Sequence, residues 1–446
     1  MKTLRQFSLA FLVLFHFGCV KTQIAEPALD GSNNLKAKMT SSAAAVPGDL
    51  ADGNIKYFGR WDFSNPAEYA SYWGGAYFRV NFTGTTVKIK VGYPTHYYAK
   101  IDNGPWVSYY NASGIINLTP TPLASGTHTL SVAQGKDYDY QFKFQGLILD
   151  AGAATSAPSS FAELIEWIGD SITCGYTDEQ ANVSGYGWVC SEQLLHTEHT
   201  QIAYPGIRLV SGDNGPGMDV QYFKLQNPSF STAPAWDFTR YIPKVIVINL
   251  GTNDNGHVPE NQFRDAYITF LANIRAKFSN VEIFVMRTFN GYLVTPTIAA
   301  VNARNAAGDT KVHYIDTNGW LTNADYTDGL HPSVAGNIKA ANLLQPILQP
   351  YLTGTANSGV TFYRDTDYGG PASQVLPVGN YTLAQLAARG MPNDWASSVK
   401  VPAGRTLIMY ADDNFSGTSW TRTGDTPTFT TLSPNANDLV SSVRVQ

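Results

Sequence analysis

Hydrophobic and polar residues alternate along a series of short segments between residues 51 and 156. Clear examples lie at 76–82, 86–91 and 127–132, and turn residues separate them. Alternation with a period of two is typical of strands that bury one face, and Asp102-Asn103-Gly104-Pro105 is a strong turn signal. Helical periodicity is absent from this stretch of sequence. We therefore predict that residues 51–156 form an antiparallel β-sandwich, a jelly roll.

From residue 157 to residue 353 short apolar runs alternate with helical patterns. The apolar runs predict strands at 164–168, 201–204, 245–250, 282–286 and 312–315. Apolar residues with helical spacing predict two amphipathic helices, one with Phe263, Ala266, Phe270, Leu271 and Ile274 and a final one with Val334, Ile338, Ala341 and Leu344. This alternation predicts a parallel sheet with helices on both faces, an α/β/α domain.

Residues 357–446 return to short strand-like segments, and their sequence repeats internally. The segment at 363–370 matches that at 410–417, and Asn393–Ser398 matches Asn437–Ser442. Each half therefore carries an aromatic hairpin followed by an Asn-Asp-x-x-Ser-Ser segment. Such duplication predicts an all-β domain built from two similar halves.

The first 19 residues combine a basic start with a short apolar run, which predicts a secretory signal peptide. An Ala/Ser/Lys-rich linker is predicted at 20–50. Cys19 follows a small residue, so a lipid anchor at Cys19 stays open, although His16 fits that signal poorly. The apolar run is too short to span a bilayer, and no other segment is apolar enough to do so.

Composition points to a secreted, strand-rich protein. Of 446 residues 15 % are charged and 13 % aromatic, and the net charge is −5. Nucleic acid is not expected as a partner, because no basic stripe is available to neutralise phosphates. Apart from Cys19, the cysteines are Cys174 and Cys190. They form either a disulfide or two buried thiols.

Candidate catalytic residues follow the predicted strands of the α/β region. Ser171 follows the first strand, Gly206 the second and Asn253 the third, while Asp328 and His331 lie between the last strand and the last helix. The carboxyl ends of parallel strands meet at one edge of a sheet, where ligands bind. We therefore expect these residues to converge in space.

Their chemistry suggests a serine hydrolase. Ser171 needs a base, and His331 would accept its proton and return it to the leaving alcohol. Asp328 would orient the imidazole and stabilise its cation. The N–H groups of Ser171 and Gly206 and the side-chain amide of Asn253 would stabilise the oxyanion.

Other residues near the expected site carry weaker signals. Trp188, Trp236 and Trp320 lie in predicted loops, where they either stack on sugar rings or pack in the core. Asp254 is expected to tie loops together rather than to take part in the chemistry.

The sequence blocks around these residues resemble those of the SGNH (GDSL-like) hydrolases. The blocks are Gly169-Asp170-Ser171-Ile172-Thr173, the isolated Gly206, Gly251-Thr252-Asn253-Asp254 and Asp328-Gly329-Leu330-His331-Pro332. The resemblance implies that Ser171, Gly206, Asn253 and His331 are the family's Ser, Gly, Asn and His.

Within that group, the chain looks most like the family 2 carbohydrate esterases, which place a jelly roll ahead of the hydrolase. Gly59-Arg60-Trp61-Asp62 and Phe82-Thr83-Gly84-Thr85 carry this resemblance, which covers about residues 52–352. It implies an enzyme that removes O-acetyl groups from plant polysaccharides such as xylan or glucomannan. Together with the predicted signal peptide, we expect a secreted monomer that needs no cofactor for catalysis. Some members of the family lack the acid, whereas Asp328 here implies a triad.

Two other functions stay open at this stage. One is a lipase or general esterase of the SGNH type, although no hydrophobic lid is evident. The other is a non-catalytic sugar-binding protein. Aromatic-glycine clusters at 59–63, 73–75 and 82–85 are expected in the core and at turns, with a sugar-stacking surface as the alternative.

The repeated halves of residues 357–446 resemble the βγ-crystallin fold, and each contains a complete calcium-clamp sequence. The resemblance implies two Ca²⁺ sites with a structural role, each built by both halves. The expected ligands are Asp394, Ser397, Asp438 and Ser441, with nearby main-chain carbonyls. The alternatives are metal-free turns held by these polar side chains, and a carbohydrate-binding role for the domain.

Overall fold

The computed structural model describes residues 46–136, 141–213, 215–230, 232–352, 359–402 and 405–446. The expected signal peptide at 1–19 and nearly all of the expected linker at 20–50 lie outside these residues. No described element crosses an expected domain limit, and the limits themselves stay predictions. Within the described ranges, no helix is both long and apolar enough to cross a bilayer.

The first domain is the expected antiparallel β-sandwich. Its strands are β1 (Lys56–Phe58), β2 (Trp61–Asp62), β3 (Tyr69–Ser71), β4 (Tyr77–Gly84), β5 (Val87–Ile101), β6 (Val107–Asn117), β7 (Gly126–Gln134), β8 (Phe142–Leu149) and β9 (Thr155–Ser156). Their order is β1-β4-β7-β5-β8-β3-β2, with β6 paired to β5 and β9 paired to β4.

The long hairpin of β5 and β6 joins the two layers of this sandwich. The first half of β5 pairs with β8, and its second half pairs with β7. The register shifts between Val91 and Tyr97, where the strand passes from one layer to the other. Irregular pairing of this kind lets one strand serve two packed sheets. Buried aromatic residues, including Trp61, Phe78 and Phe142, fill the space between the layers.

The second domain contains the expected parallel sheet. Its strands are β10 (Leu164–Gly169), β11 (Glu198–Ala203), β12 (Val245–Asn249), β13 (Glu282–Met286) and β14 (Val312–Ile315), in the order β11-β10-β12-β13-β14. The bounds of β13 and β14 agree with the sequence prediction. The prediction for β11 was wrong at its start, because this strand begins three residues before residue 201.

Helices cover both faces of this sheet. They are α1 (Ser171–Cys174), α2 (Tyr186–Trp188), α3 (Met218–Gln221), α4 (Glu260–Lys277), α5 (Val294–Ala306) and α6 (Val334–Leu348), with a π-helix at Val189–Leu195 and 3₁₀ turns at Asn323–Asp325 and Gln349–Tyr351. Successive residues of β12 point to opposite faces, so that Ile246 and Ile248 pack toward α4, while Val245 and Val247 pack toward α6.

The prediction of which residues form the buried face of α6 was wrong in part. Val334 and Ile338 are 47 % and 44 % exposed, whereas Ala341 and Leu344 are buried as expected. The buried face instead includes Asn337, because its side-chain amide has partners inside the domain. Its Oδ1 accepts the backbone N–H of Tyr186, and its Nδ2 donates to Asp178.

The third domain is all-β, as expected. It has a two-stranded sheet of β15 (Thr361–Tyr363) and β17 (Ser398–Lys400), and a four-stranded sheet of β16 (Gly379–Tyr381), β18 (Leu407–Asp412), β19 (Ser416–Arg422) and β20 (Ser442–Val445). Short helices lie at α7 (Leu383–Ala387), Thr366–Tyr368, Asp413–Phe415 and Phe429–Thr431.

The sequence repeat of this domain is also a structural repeat. Ser398 Oγ donates to the carbonyl oxygen of Asp365 at 2.6 Å, and Ser442 Oγ donates to that of Asp412 at 2.7 Å. In both halves the last serine of the Asn-Asp-x-x-Ser-Ser segment thus holds the aromatic hairpin. The duplicated residues therefore occupy equivalent places in the two halves.

Arg60 joins the sandwich to the α/β domain. Its side chain is fully buried, and Nη1 donates hydrogen bonds to the carbonyl oxygens of Tyr222 and Lys224. The guanidinium lies 4.8 Å from the ring centroid of Tyr222 and 5.3 Å from that of Trp236. Attraction between a cation and an aromatic face is strongest where water is excluded. Arg60 thus connects the two domains through both polar and aromatic contacts.

A buried carboxylate lies behind the same aromatic residues. Glu166 of β10 is fully buried and accepts hydrogen bonds from the hydroxyls of Tyr222 and Tyr241 and, at 3.2 Å, from Thr200. Burying a charge is costly unless it has hydrogen bonds and an opposite charge nearby. The ring of Tyr222 faces the guanidinium of Arg60 and its hydroxyl binds Glu166, so this tyrosine connects the buried cation with the buried carboxylate.

The aromatic-glycine clusters of the sandwich have structural roles. Trp61, Trp73 and Phe82 are each at most 1 % exposed. Trp73 packs in the core of the α/β domain, where its indole N–H donates to the carbonyl oxygen of Leu225. The core-and-turn interpretation of these clusters is therefore confirmed, and these rings are not accessible to a sugar.

Replacing Arg60 with alanine is expected to lower the free energy of unfolding of the joined domains by about 3–5 kcal/mol, because two buried backbone carbonyls lose a charged hydrogen-bond donor and the rings around the guanidinium lose their cation. Urea unfolding followed by tryptophan fluorescence measures the change. Arg264→Ala is the matched control, since Arg264 is partly exposed and pairs with its exposed neighbour Asp265. Equal effects of the two substitutions would contradict the assigned role of Arg60.

Candidate active site

Ser171 lies in a tight turn between a buried strand and a helix. Strand β10 ends at Gly169, Asp170 caps α1, and Asp170 Oδ1 accepts the backbone N–H of Ile172 at 2.9 Å. A side chain at Gly169 would place its Cβ 2.0 Å from Thr173 Oγ1, so only glycine fits at this position. The turn therefore holds Ser171 in a fixed position, with only 6 % of the residue exposed.

A chain of hydrogen bonds connects Ser171 to Asp328. His331 Nε2 lies 2.9 Å from Ser171 Oγ, and His331 Nδ1 lies 2.7 Å from Asp328 Oδ2. The other carboxylate oxygen, Oδ1, accepts the backbone N–H groups of Leu330 at 3.0 Å and of His331 at 2.8 Å. The structure thus brings together the three side chains that the sequence assigned to a triad.

The Asp328 carboxylate is suited to orient the imidazole. Hydrogen bonds lower the pKa of Asp328 to about 2. The bond from the backbone N–H of His331 contributes most, and those from the His331 ring and the N–H of Leu330 follow. An ionised carboxylate at Nδ1 favours the tautomer that carries its proton there. Nε2 of a neutral imidazole can then accept the proton of Ser171, which is the arrangement of a base-activated nucleophile.

Gly206 lies in the loop after β11 and borders a cavity. Its φ is +78°, a conformation that favours glycine. The cavity has a volume of about 400 Å³ and is lined by Tyr204, Pro205, Gly206, Ile207, Arg208, Val210, Gly215, Pro216, Gly217, Pro228 and Ser229. Ser171 and His331 are not among these lining residues, so the cavity lies beside the triad rather than at it.

Asn253 connects the Gly206 loop to the turn of Ser171. Its Nδ2 donates to the carbonyl oxygen of Ile207 at 3.0 Å and lies 3.3 Å from Asp170 Oδ2. The amide is therefore bonded to the residues that adjoin Ser171 and Gly206 in the sequence, and its role as an oxyanion donor stays a prediction. To donate to an oxyanion, it would exchange one of these partners for the substrate.

Asp254 ties the same loops together. Its two carboxylate oxygens accept the backbone N–H groups of Leu209 at 2.8 Å and Val210 at 3.0 Å. Burial raises the pKa of this carboxyl. The geometry agrees with the expected structural role of Asp254.

Asp170 is a site residue to which the sequence reasoning assigned no role. Its side chain is fully buried. Burial raises its pKa to about 7, and the charge of Asp254 contributes to this rise, whereas the hydrogen bond from the N–H of Ile172 lowers the pKa. The available signal was its position directly before Ser171, where an Asp commonly caps a helix. Its contact with Asn253 depends on the folded loops and has no sequence signal.

The tryptophans near the expected site are mainly structural. Trp188 and Trp236 are 2 % and 7 % exposed, and Trp320 packs against the core on the α6 side of the sheet. For the first two, core packing is confirmed over sugar stacking. Cys174 and Cys190 are buried thiols with no disulfide between them.

The expected calcium ligands come together across the two halves of the third domain. Ser397 Oγ lies 3.4 Å from Asp438 Oδ1 of the other half, and Ser441 Oγ lies 2.8 Å from Asn393 Oδ1. Asp394 accepts from the side chain of Asn393 at 2.9 Å rather than from Ser441. Asn393, which was not among the expected ligands, is thus the residue that contacts Ser441 across the two halves.

Comparison with known protein families agrees with this organisation. Residues 167–337 match the GDSL-like Lipase/Acylhydrolase family, and residues 57–158 match the family described as Carbohydrate esterase 2 N-terminal. Over these residues the chain is similar to the family 2 carbohydrate esterases. We refer to residues 57–337 as the esterase part.

Two similar proteins are named as esterases. The chain is 29 % identical over 315 residues to Cellulase/esterase CelE of Acetivibrio thermocellus, a match that covers 64 % of this chain and 38 % of that protein. The chain thus spans less than half the length of that relative. It is 24 % identical over 323 residues to Acetylxylan esterase / glucomannan deacetylase of Cellvibrio japonicus, covering 64 % of this chain and 87 % of that one.

A solved structure and a third relative extend the comparison. A family two carbohydrate esterase from Clostridium thermocellum in complex with cellohexaose is 27 % identical, with a TM-score of 0.60, covering 67 % of this chain and all (100 %) of that one. Beyond the esterase part, the C-terminal region is 47 % identical over 60 residues to Development-specific protein S of Myxococcus xanthus, covering 14 % of this chain and 34 % of that one.

The buried carboxyl of Asp170 predicts a pH dependence of stability. Its pKa rises from the usual 3.8 to about 7 on folding, so between these values the folded protein keeps a proton that the unfolded chain releases. This group therefore lowers the free energy of unfolding as pH rises through that window. Asp170→Asn keeps an oxygen for the N–H of Ile172 and removes the titration, so its stability is expected to fall less with rising pH.

Urea unfolding at about pH 5, 6, 7 and 8 measures this difference, with Asp265→Asn on the exposed side of α4 as the control. Parallel pH profiles for wild type and Asp170→Asn would show that the Asp170 carboxyl does not titrate in this window.

Proposed function

We propose that this chain is a secreted carbohydrate esterase that removes O-acetyl groups from plant cell-wall polysaccharides such as xylan and glucomannan. The observation that carries this proposal is the hydrogen-bonded chain from Ser171 through His331 to Asp328 at the carboxyl edge of the sheet. The reaction is acyl transfer in two steps, and no cofactor is needed for it.

In the first step Ser171 Oγ attacks the carbonyl carbon of the acetyl ester. His331 Nε2 accepts the hydroxyl proton, and Asp328 stabilises the imidazolium that forms. The tetrahedral intermediate then collapses as His331 returns the proton to the sugar oxygen. The sugar leaves as a free hydroxyl, and the acetyl group stays on Ser171.

The oxyanion of the intermediate needs donors that are already in place. The backbone N–H groups of Ser171 and Gly206 and the amide of Asn253 are the proposed donors. One such donor contributes about 3–4 kcal/mol of transition-state stabilisation. The bonds of Asp254 to Leu209 and Val210 support this assignment, because they hold the Gly206 loop against the Asn253 loop.

In the second step water replaces the sugar. His331 takes a proton from the water, and the resulting hydroxide attacks the acetyl carbonyl of acyl-Ser171. Collapse of the second intermediate releases acetate and returns the proton to Ser171. The same residues serve both steps in reversed roles, as microscopic reversibility requires.

The proposed substrate rests on the relatives. One is named an acetylxylan esterase and glucomannan deacetylase, and a similar solved structure holds cellohexaose. Both names concern β-linked plant polysaccharides or their fragments. An acetylated polysaccharide or oligosaccharide is therefore the proposed substrate. The chain is proposed to act on it as a monomer.

A lipase or general esterase is the second candidate. The cavity beside Gly206 supports it, because Pro205, Ile207, Val210 and Pro216 give that cavity apolar walls. An acyl chain longer than acetyl could extend into this space. Activity against acyl chains of different length separates the two candidates.

Wild-type protein is expected to release acetate from acetylated xylan and glucomannan and to prefer acetyl over butyryl and octanoyl esters. Ser171→Ala should remove this activity. Preference for octanoyl esters would favour the lipase. Retention of polysaccharide without turnover of any ester would contradict catalysis and leave a sugar-binding protein.

Asp328→Asn in the same assay separates a triad from a dyad. Because the ionised carboxylate selects the imidazole tautomer, the substitution is expected to lower kcat by about 10³–10⁴-fold. Asp316→Asn is the matched control, as its carboxylate is exposed and lies at the same sheet edge near Arg287. A loss below about tenfold for Asp328→Asn would favour a Ser–His dyad.

We further propose that the third domain binds Ca²⁺ at two sites with a structural role. The residues fit such an ion, because carboxylate, hydroxyl and amide oxygens are the ligands that Ca²⁺ prefers. Asn437 Oδ1 is a buried acceptor beside Asp438 with no hydrogen-bond partner, so a cation there would satisfy it.

The residues that would hold the two ions come from both halves. One site would be formed by Asn437 and Asp438 of one half and Ser397 of the other. The second site would be formed by Asn393 and Asp394 with Ser441. No cluster of three or more His, Cys, Asp or Glu side chains occurs in the described part of the chain. Hydroxyl, amide and backbone oxygens would therefore supply much of the coordination.

Calcium is expected to raise the unfolding temperature of the third domain, because it would bind only the folded state. The gain is about 2.7 kcal/mol at a hundredfold excess over Kd. Differential scanning calorimetry of the full chain with CaCl₂ or EDTA measures it. A Ser397→Ala/Ser441→Ala variant should lose the response, with Ser416→Ala as control. No shift in the wild type would contradict calcium binding.

A further inference from the structure

The chemistry proposed above determines on which side of Ser171 the sugar lies. His331 Nε2 must return its proton to the leaving sugar oxygen, so that oxygen comes within hydrogen-bond distance of the imidazole. The acetyl oxygen points the other way, toward the N–H groups near Gly206 and Asn253. A side chain next to His331 therefore contacts the alcohol part of the ester rather than its acyl part.

Tyr176 is an exposed aromatic residue at this position. Its ring centroid lies 5.6 Å from that of His331, with an angle of 48° between the ring planes. The residue is 48 % exposed, which is unusual for a large aromatic side chain in this domain. A tilted, accessible ring beside the base offers one face to a sugar, whose C–H groups pack well against aromatic surfaces.

The backbone of Tyr176 is held in place by the same turn that positions Ser171. Its N–H donates to the carbonyl oxygen of Ser171 at 3.1 Å, directly after Gly175, which ends α1 in the left-handed conformation. Further along, Asp178 accepts hydrogen bonds from Ser184 at 2.7 Å and Asn337 at 3.0 Å. The backbone from which the Tyr176 ring extends is therefore held next to the nucleophile.

The sandwich domain supports the same loop. Tyr98 Oη donates to the carbonyl oxygen of Glu179 at 3.3 Å, and Gln180 Nε2 donates to that of Trp106 at 2.9 Å. Both contacts join β5 or the β5–β6 connection to the segment that follows Tyr176. A mobile aromatic side chain would lose entropy on binding, whereas a loop held from both sides is already ordered.

We propose that the ring of Tyr176 stacks on the sugar that carries the ester and so determines the preference for sugar esters over other acetate esters. This inference rests on the proposed function of Ser171 and His331. Tyr176 acts on substrate binding and takes no part in proton transfer.

The test compares acetylated xylo-oligosaccharide with ethyl acetate, whose alcohol is too small to stack. Tyr176→Ala should lower kcat/KM for the oligosaccharide by about tenfold, mainly through KM, and leave ethyl acetate nearly unchanged. Tyr176→Phe should keep the activity of the wild type on both, because stacking does not need the hydroxyl. Tyr110→Ala is the matched control, since Tyr110 is 70 % exposed on the sandwich.

The outcomes separate this inference from the proposed function. An equal loss on both esters would show that Tyr176 only supports His331, and unchanged kinetics on both would show that it has no role. Either result overturns the inference while acetate release by the wild type stands. If the wild type hydrolyses ethyl acetate but no sugar ester, both the inference and the proposed substrate are wrong.

Discussion

The hydrogen bond between His331 Nε2 and Ser171 Oγ is the contact on which the rest of the site depends. It joins residues 160 positions apart. It forms because both residues follow strands of one parallel sheet, so that their loops meet at the same edge. Each partner is held locally as well, Ser171 by the Asp170 cap and His331 by the hydrogen bonds that its own loop makes to Asp328. The site is therefore ordered before substrate arrives.

The sandwich domain contributes to this order from outside the sheet. Arg60 and Trp73 extend from the sandwich into the α/β domain and bond to carbonyl groups of residues 222–225. On the other side, Tyr98 and Trp106 bond to the segment after Tyr176. These contacts explain why Arg60, Trp73 and Tyr98 of the sandwich are fully buried. Arg79 of the sandwich also pairs with Glu198 of the α/β domain, so that charges as well as hydrogen bonds join the two domains.

Much of the fold could be predicted from the sequence, because strand and helix periodicities report local burial directly. The start of β11 could not, since Glu198 and His199 are polar and yet buried. They are buried because Tyr77 and Arg79 of the sandwich pack against them, and Glu198 accepts from both. The local pattern of apolar and polar residues does not reveal a contact with another domain. For the same reason the environment of Asp170 could not be predicted, because its raised pKa depends on loops that are distant in sequence.

The reactivity of Ser171 is the central claim of this account, and covalent labelling tests it most directly. The folded protein would be treated with a fluorophosphonate, which reacts with serine hydroxyls that a neighbouring base activates. Mass spectrometry of the digested protein then locates the adduct. A single adduct on Ser171, with loss of esterase activity in proportion to labelling, is the expected result. An unlabelled Ser171 in folded protein, or an adduct at another serine that accounts for the lost activity, would contradict the account.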